Sequence, residues 1–140
     1  MLPESTDIRL LTEVGFLAAG RGDVPRALRI FEALVVLRPD RALGFVGLTS
    51  ALMNTGRAAE AVQRLQAVRL PAGAESDMLQ AFQALALQLA GRAGESTYLL
   101  RQIVGRAHQE PPSEGMQLAA RLLGETPSAA PPAAALSTSY

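Results

Sequence analysis

An internal repeat of about 34 to 35 residues is the feature that most constrains how this chain can fold. Its clearest copy lies between residues 8 and 41. A later segment, GRAGESTYLLRQIV from Gly91, resembles GRAAEAVQRLQAV from Gly56 at an offset of 35 residues. A repeat of this length is one supersecondary unit that cannot bury its apolar face alone, so neighbouring copies must stack on one another.

The order of small and large residues in the first copy predicts two antiparallel helices. Small residues, Gly15 and Ala27, stand where the two helices must approach closely, and Leu11 and Phe31 can fill the space beside them. This is the spacing of the tetratricopeptide (TPR) pattern, which has Ala-x3-Phe in the second helix and a proline after it. Here that residue is Pro39, which prevents the second helix from continuing.

The turn between these two helices is also indicated by residue type. Gly22 can take the left-handed conformation that ends the first helix, and Asp23 can cap the second. Pro25 suits the first turn of that second helix. We therefore expect a tight interhelical turn at residues 20 to 23.

Two further copies follow with decreasing regularity. The second has Asp40 in position to cap its first helix, and Thr49 where the first copy has Gly15. The third begins after the LPAG segment at residues 70 to 73, and its first helix fits offsets of both 34 and 35. The register of that helix therefore remains open by one residue.

A short seventh helix is predicted after the third copy, capped by Ser113 and ended by Gly124. Stacked repeats need such a terminal cap. The predicted fold is therefore all-α, with about three TPR-like antiparallel helix pairs and a C-terminal capping helix in a right-handed α-solenoid over residues 1–124. Residues 125–140 are rich in Ala, Pro and Ser, and we expect them to be a disordered tail.

Composition excludes several classes of partner and site. Thirteen basic residues balance thirteen acidic ones, so no positive field favours nucleic acid. The chain has no cysteine, and no apolar stretch is long enough to cross a membrane. We expect a cytoplasmic protein that does not insert into membranes.

No catalytic or metal-binding pattern is present in the sequence. The only histidine, His108, is expected on the surface near the end of the sixth helix, and no second histidine could complete a metal site. Acidic pairs such as Glu75 with Asp77 lie beside predicted helix starts, where capping explains them. We therefore predict neither an enzyme nor a cofactor.

The first helix of each pair is expected to line a concave groove, and its composition indicates the type of ligand. Five apolar residues occupy groove positions in this register: Phe16, Leu43, Val46, Met53 and Leu87. An apolar groove suits an amphipathic helix better than a charged peptide terminus. The alternative is that these side chains are core, buried by the seventh helix or by self-association.

The segment AGRGDVPRALRIFEALVVLRPDRALGFVGLTSALMNTGRAAEAVQRLQAV resembles the small TPR-fold needle-subunit chaperones of bacterial type III secretion systems and their relatives in plant-pathogen systems. The resemblance covers roughly residues 8 to 107. It implies that the groove masks an amphipathic helix of a secreted subunit, above all the needle protein, often with a smaller co-chaperone alongside. The alternative function is a generic TPR adaptor that bridges two proteins outside secretion.

Overall fold

A computed structural model describes residues 5–106 and 112–124. Within these ranges the chain forms seven α-helices and no strand, which confirms the predicted all-α class. The helices are α1 (Ser5–Gly20), α2 (Val24–Leu37), α3 (Ala42–Asn54), α4 (Ala58–Gln66), α5 (Ala74–Leu89), α6 (Ala93–Gly105) and α7 (Glu114–Leu123). His108 and the tail predicted at residues 125–140 lie outside the described residues.

Three equivalent turns join α1 to α2, α3 to α4 and α5 to α6. Each contains a glycine in the left-handed region, with φ of 80° at Gly22, 76° at Gly56 and 82° at Gly91. The residue after each glycine donates its backbone N–H to a helix carbonyl five residues earlier, at 2.9 Å for Ala18, 2.9 Å for Leu52 and 2.8 Å for Leu87. The second and third turns therefore lie 35 residues apart, and this spacing fixes the register that the sequence left open.

The start of α2 and both ends of α7 have the local caps that the sequence predicted. The Asp23 side chain accepts the backbone N–H of Arg26 at 3.3 Å. At α7, the Ser113 hydroxyl accepts the N–H of Met116 at 3.2 Å, and Gly124 ends the helix with a φ of 80°. These three predictions are confirmed.

The predicted cap of α3 is wrong. Arg41, not Asp40, occupies the N-cap position, and its side chain makes no capping bond. The backbone N–H of Ala42 donates instead to Oε1 of Glu75, at 2.6 Å. The start of α3 is therefore capped by a side chain of α5.

The first two helix pairs share one aromatic ring. Phe31 on α2 is fully buried, and its ring lies against Gly15 of α1 and Gly47 of α3. A Cβ on Gly15 would lie 2.9 Å from Cζ of this ring, and one on Gly47 would overlap it. Phe16 packs edge-on against the same ring, with centroids 4.8 Å apart. Two glycines thus allow α1 and α3 to approach the same side chain.

Helix α7 packs closely on the start of α5. A Cβ on Gly115 would overlap the backbone of Asp77 and Met78, so α7 and α5 touch there without an intervening side chain. The Ser113 hydroxyl also donates to Oδ2 of Asp77 at 2.9 Å. This bond provides a partner for a carboxylate that is only 8% exposed.

Every helix contacts its neighbours in sequence, and the odd-numbered helices also contact one another in the order α1, α3, α5, α7. The helices predicted to line the groove therefore form a continuous row. None of the helices in the described ranges is both long and apolar enough to cross a membrane.

Candidate protein-binding groove

Two adjoining clefts open along the row of odd-numbered helices. The first has a volume of about 450 Å³ and is lined by Ile8, Thr12, Leu34, Arg38, Arg41, Leu43 and Gly44. The second has a volume of about 670 Å³ and is lined by Arg41, Ala42, Leu43, Val46, Ala74, Glu75, Met78, Phe82 and Glu114. Because Arg41 and Leu43 line both clefts, the two together are called the groove.

Apolar side chains from α3 and α5 line the second cleft. Leu43 and Val46 are three residues apart on α3, while Met78 and Phe82 are four residues apart on α5. Residues at these spacings lie on the same face of a helix. Leu43 is 45% exposed, and the other three are half-buried. The two helices thus present an accessible apolar surface between them.

Charged side chains lie at the edges of this apolar surface, and their sign changes along the groove. Arg38 lines only the first cleft and Arg41 lines both, whereas Glu75 and Glu114 line only the second. The Arg41 guanidinium lies 3.4 Å from the Glu75 carboxylate, where the two clefts meet. The groove is therefore basic at one end and acidic at the other.

The five predicted groove residues do not all lie in the groove. Leu43 and Val46 do, and they meet in the second cleft. Phe16 is 40% exposed but packs against Phe31, and Met53 is a half-buried residue packed against the core around Leu52. Neither Phe16 nor Met53 is among the residues lining the two clefts.

Leu87 belongs to the core. It is 3% exposed and packs with Val62 and Ala86. The Leu87 carbonyl accepts the N–H of Arg92, just as the carbonyl of Leu52 accepts the N–H of Arg57 in the preceding turn. Leu52 is likewise buried, at 1% exposed. Leu87 is therefore a core residue, but it is buried beside Val62 of α4 and not by the seventh helix or by self-association.

The sequence interpretation missed Ile8, Met78 and Phe82. A usable signal was present for Met78, which lies 35 residues after Leu43. The same offset separates the two turn glycines Gly56 and Gly91. Applied to the whole third copy, that offset identifies Met78 as a groove residue.

A Gly-Arg dipeptide stands at the same place in two of the three turns, as Gly56-Arg57 and Gly91-Arg92, and its arginine has a structural role. Arg57 and Arg92 occupy the N-cap positions of α4 and α6, and each pairs with a glutamate three residues later. The Arg92 guanidinium donates two hydrogen bonds to Glu95, at 2.6 and 2.7 Å. These bonds lower the pKa of Glu95 and raise that of Arg92.

Within residues 5–106 and 112–124, no group of three or more His, Cys, Asp or Glu side chains is arranged to hold a metal ion. Comparison of the chain with protein-family models, with curated proteins and with solved structures gave no match.

Proposed function

We propose that this chain is a TPR-type protein-binding scaffold that holds an amphipathic helix in its groove. The observation that carries the proposal is the accessible apolar surface that α3 and α5 present to adjoining clefts. A helix laid into a groove contributes apolar side chains at spacings of three and four residues. Leu43, Val46, Met78 and Phe82 supply the matching surface.

The contacts between helices support a curved stack of three helix pairs. Odd-numbered helices contact one another in a row, whereas among the described residues no such contact joins α2 to α4 or α4 to α6. A stack whose odd-numbered helices lie closer together curves around them. The groove then lies on the concave side, where helical repeats commonly bind their ligands.

The charges at the two ends of the groove favour one orientation of the ligand helix. A bound helix with acidic residues near Arg38 and basic residues near Glu114 gains attraction at both ends. The reverse orientation places like charges together. We therefore propose a ligand helix with an apolar stripe and opposite charges at its two ends.

We further propose that the ligand is a secreted subunit of a type III secretion system, above all its needle protein, held in the bacterial cytoplasm. This assignment is supported by the resemblance of residues 8 to 107 to needle-subunit chaperones. A subunit that polymerises through an amphipathic helix exposes an apolar face, and a groove of this kind masks that face reversibly. A smaller co-chaperone would bind elsewhere on the same scaffold.

Two substitutions in the groove test the proposal. The double variant Val46→Glu with Met78→Glu places two carboxylates on the apolar surface, and burial of an unpaired charge is costly. We expect it to bind the ligand helix at least about tenfold more weakly in calorimetry. Val36→Glu is the matched control, because Val36 lies on α2 and is 78% exposed.

Capture from the native cell identifies the ligand. Mass spectrometry of proteins co-purified with the wild-type chain should find a secretion subunit that is lost with the double variant and kept with Val36→Glu. Capture of the same subunit by both variants would overturn the groove assignment. Capture of a folded protein unrelated to secretion, unaffected by the groove substitutions, would instead support the adaptor function.

A further inference from the structure

We propose that the outer face of α1 binds a second copy of this chain, with the two α1 helices antiparallel. This face carries three exposed apolar side chains, Leu10, Val14 and Leu17, with exposed fractions of 59%, 40% and 54%. The adjacent face of α1, which carries Gly15 and Ala18, packs on the core. None of these three side chains lines the groove, so this pairing does not depend on the ligand of the groove.

The spacing along this face is that of a helix-pairing seam. The apolar residues are four and three residues apart, and the stripe extends three residues back to Asp7 and four residues on to Arg21. The backbone N–H of Arg21 still donates to the carbonyl of Leu17 at 3.1 Å, so the helical path continues to the end of the stripe. Alternating steps of three and four residues are those of the a and d positions of a coiled coil.

The charges at the ends of the stripe select a second copy in the antiparallel orientation. Asp7 and Arg21 are both exposed, and each lies seven residues from Val14, about 10 Å along a helix axis. A two-fold axis at Val14 therefore brings Asp7 of each copy to Arg21 of the other. A parallel pair would instead place like charges together, at a cost in affinity.

The resulting interface is isologous and small. Leu10 of one copy meets Leu17 of the other on both sides of the central Val14 pair, which gives three apolar layers. A standard stable interface buries about 800 Å² on each partner, and one helix face with three such layers is a modest patch beside that. We therefore expect a weak dimer, with a dissociation constant in the micromolar range.

Cysteine cross-linking tests the antiparallel geometry directly, because the chain has no cysteine of its own. Val14→Cys lies on the proposed axis and should form a disulfide-linked dimer on mild oxidation. Leu10→Cys alone should cross-link at least about tenfold more slowly, since its two copies lie about 12 Å apart along the axis. A mixture of Leu10→Cys and Leu17→Cys should cross-link readily. Equal rates for Val14→Cys and Leu10→Cys, or no cross-linking at all, would overturn the proposal.

Charge reversal provides an independent test by sedimentation equilibrium of the full chain. Asp7→Arg or Arg21→Asp should each raise the dimer dissociation constant about tenfold, because the two-fold axis creates a repulsion at both ends. The double variant Asp7→Arg with Arg21→Asp should restore the dissociation constant to within about threefold of the wild-type value. Arg29→Glu, an exposed reversal on α2, is the control and should have no effect. A wild-type chain that stays at 14.7 kDa up to hundreds of micromolar would contradict the dimer.

Discussion

The carboxylate of Glu75 in the first turn of α5 accepts the backbone N–H of Ala42 at the start of α3, a residue 33 positions earlier in the chain. The same Oε1 lies 3.4 Å from the guanidinium of Arg41. Glu75 of the third helix pair thus accepts a backbone N–H of the second pair and also lies beside the positive charge of Arg41. Because the first N–H groups of a helix have no partner within it, such a contact stabilises α3 from outside.

We expect Glu75→Ala to lower the free energy of unfolding by about 1 kcal/mol, the usual cost of losing an N-cap. Glu75→Gln should cost less, because the amide oxygen can still accept the hydrogen bond but the negative charge is lost. Asp40→Ala, which removes the cap predicted from sequence, should change stability by less than about 0.5 kcal/mol. Urea denaturation measures all three variants. A larger loss from Asp40→Ala than from Glu75→Ala would contradict the observed cap.

Gly47→Ala should destabilise the chain by about 1 to 3 kcal/mol, because the added Cβ overlaps the buried ring of Phe31. The matched control is Gly94→Ala on α6, where nothing lies within 4 Å of an added Cβ. That substitution should be neutral or stabilise by up to about 1 kcal/mol through helix propensity. Thermal unfolding followed by circular dichroism distinguishes the two. Equal effects of both substitutions would refute the close contact at Phe31.

Ser113→Ala should loosen α7, because the serine hydroxyl both caps this helix and donates to the buried carboxylate of Asp77. We expect a loss of about 1 to 3 kcal/mol, which combines a lost cap with an under-satisfied buried acceptor. Hydrogen exchange should accelerate first in α7. Ser113→Thr retains the hydroxyl and is the control. If hydrogen exchange in α7 is as fast in Ser113→Thr as in Ser113→Ala, loss of the hydroxyl is not what loosens the helix.

The ion pair between Arg92 and Glu95 should give a small dependence of stability on pH in the acidic range. The hydrogen bonds from Arg92 lower the pKa of Glu95 in the folded chain. The pair therefore stabilises the fold fully above the unfolded pKa of Glu95, and this contribution is lost as the pH falls through the folded pKa. The difference in Tm between wild type and Glu95→Gln should shrink as the pH is lowered through that window. Arg92→Gln should remove the same dependence, and its persistence in that variant would refute the assignment.

The sequence predicted those parts of the fold that depend on neighbouring residues. The left-handed glycine at Gly22 and the caps at Asp23 and Ser113 arise within a few residues of chain, so residue type was enough to identify them. The cap of α3 was missed because its carboxylate comes from the next repeat. A capping pattern limited to adjacent residues favours Asp40, and only the packing of α3 against α5 brings Glu75 to the site.

Only some of the groove residues were predicted, because the others depend on how the third copy aligns with the second. Leu43 and Val46 follow from the regular second copy, but the third copy was read with an uncertain register. That uncertainty assigned Leu87 to the groove and omitted Met78. Phe82 was missed at either offset, because the equivalent residues of the second copy, Leu48 and Gly47, are buried. Gly47 shows a second limit, since a glycine inside a helix carries no local signal for the ring that it accommodates. A turn depends on neighbouring residues of the chain, whereas a contact between repeats depends on the residues of both repeats.

The first turn of α5 also sets the width of the second cleft. Glu75 and Asp77 are two residues apart, so their side chains leave the helix on nearly opposite sides. One is bonded to the start of α3, and the other to Ser113 just before α7. Residues at both places, Ala42 and Glu114, line the second cleft, so the two hydrogen bonds hold its borders to α5. A ligand too wide for this cleft must break one of these hydrogen bonds to enter. This part of the groove therefore selects its ligand by width.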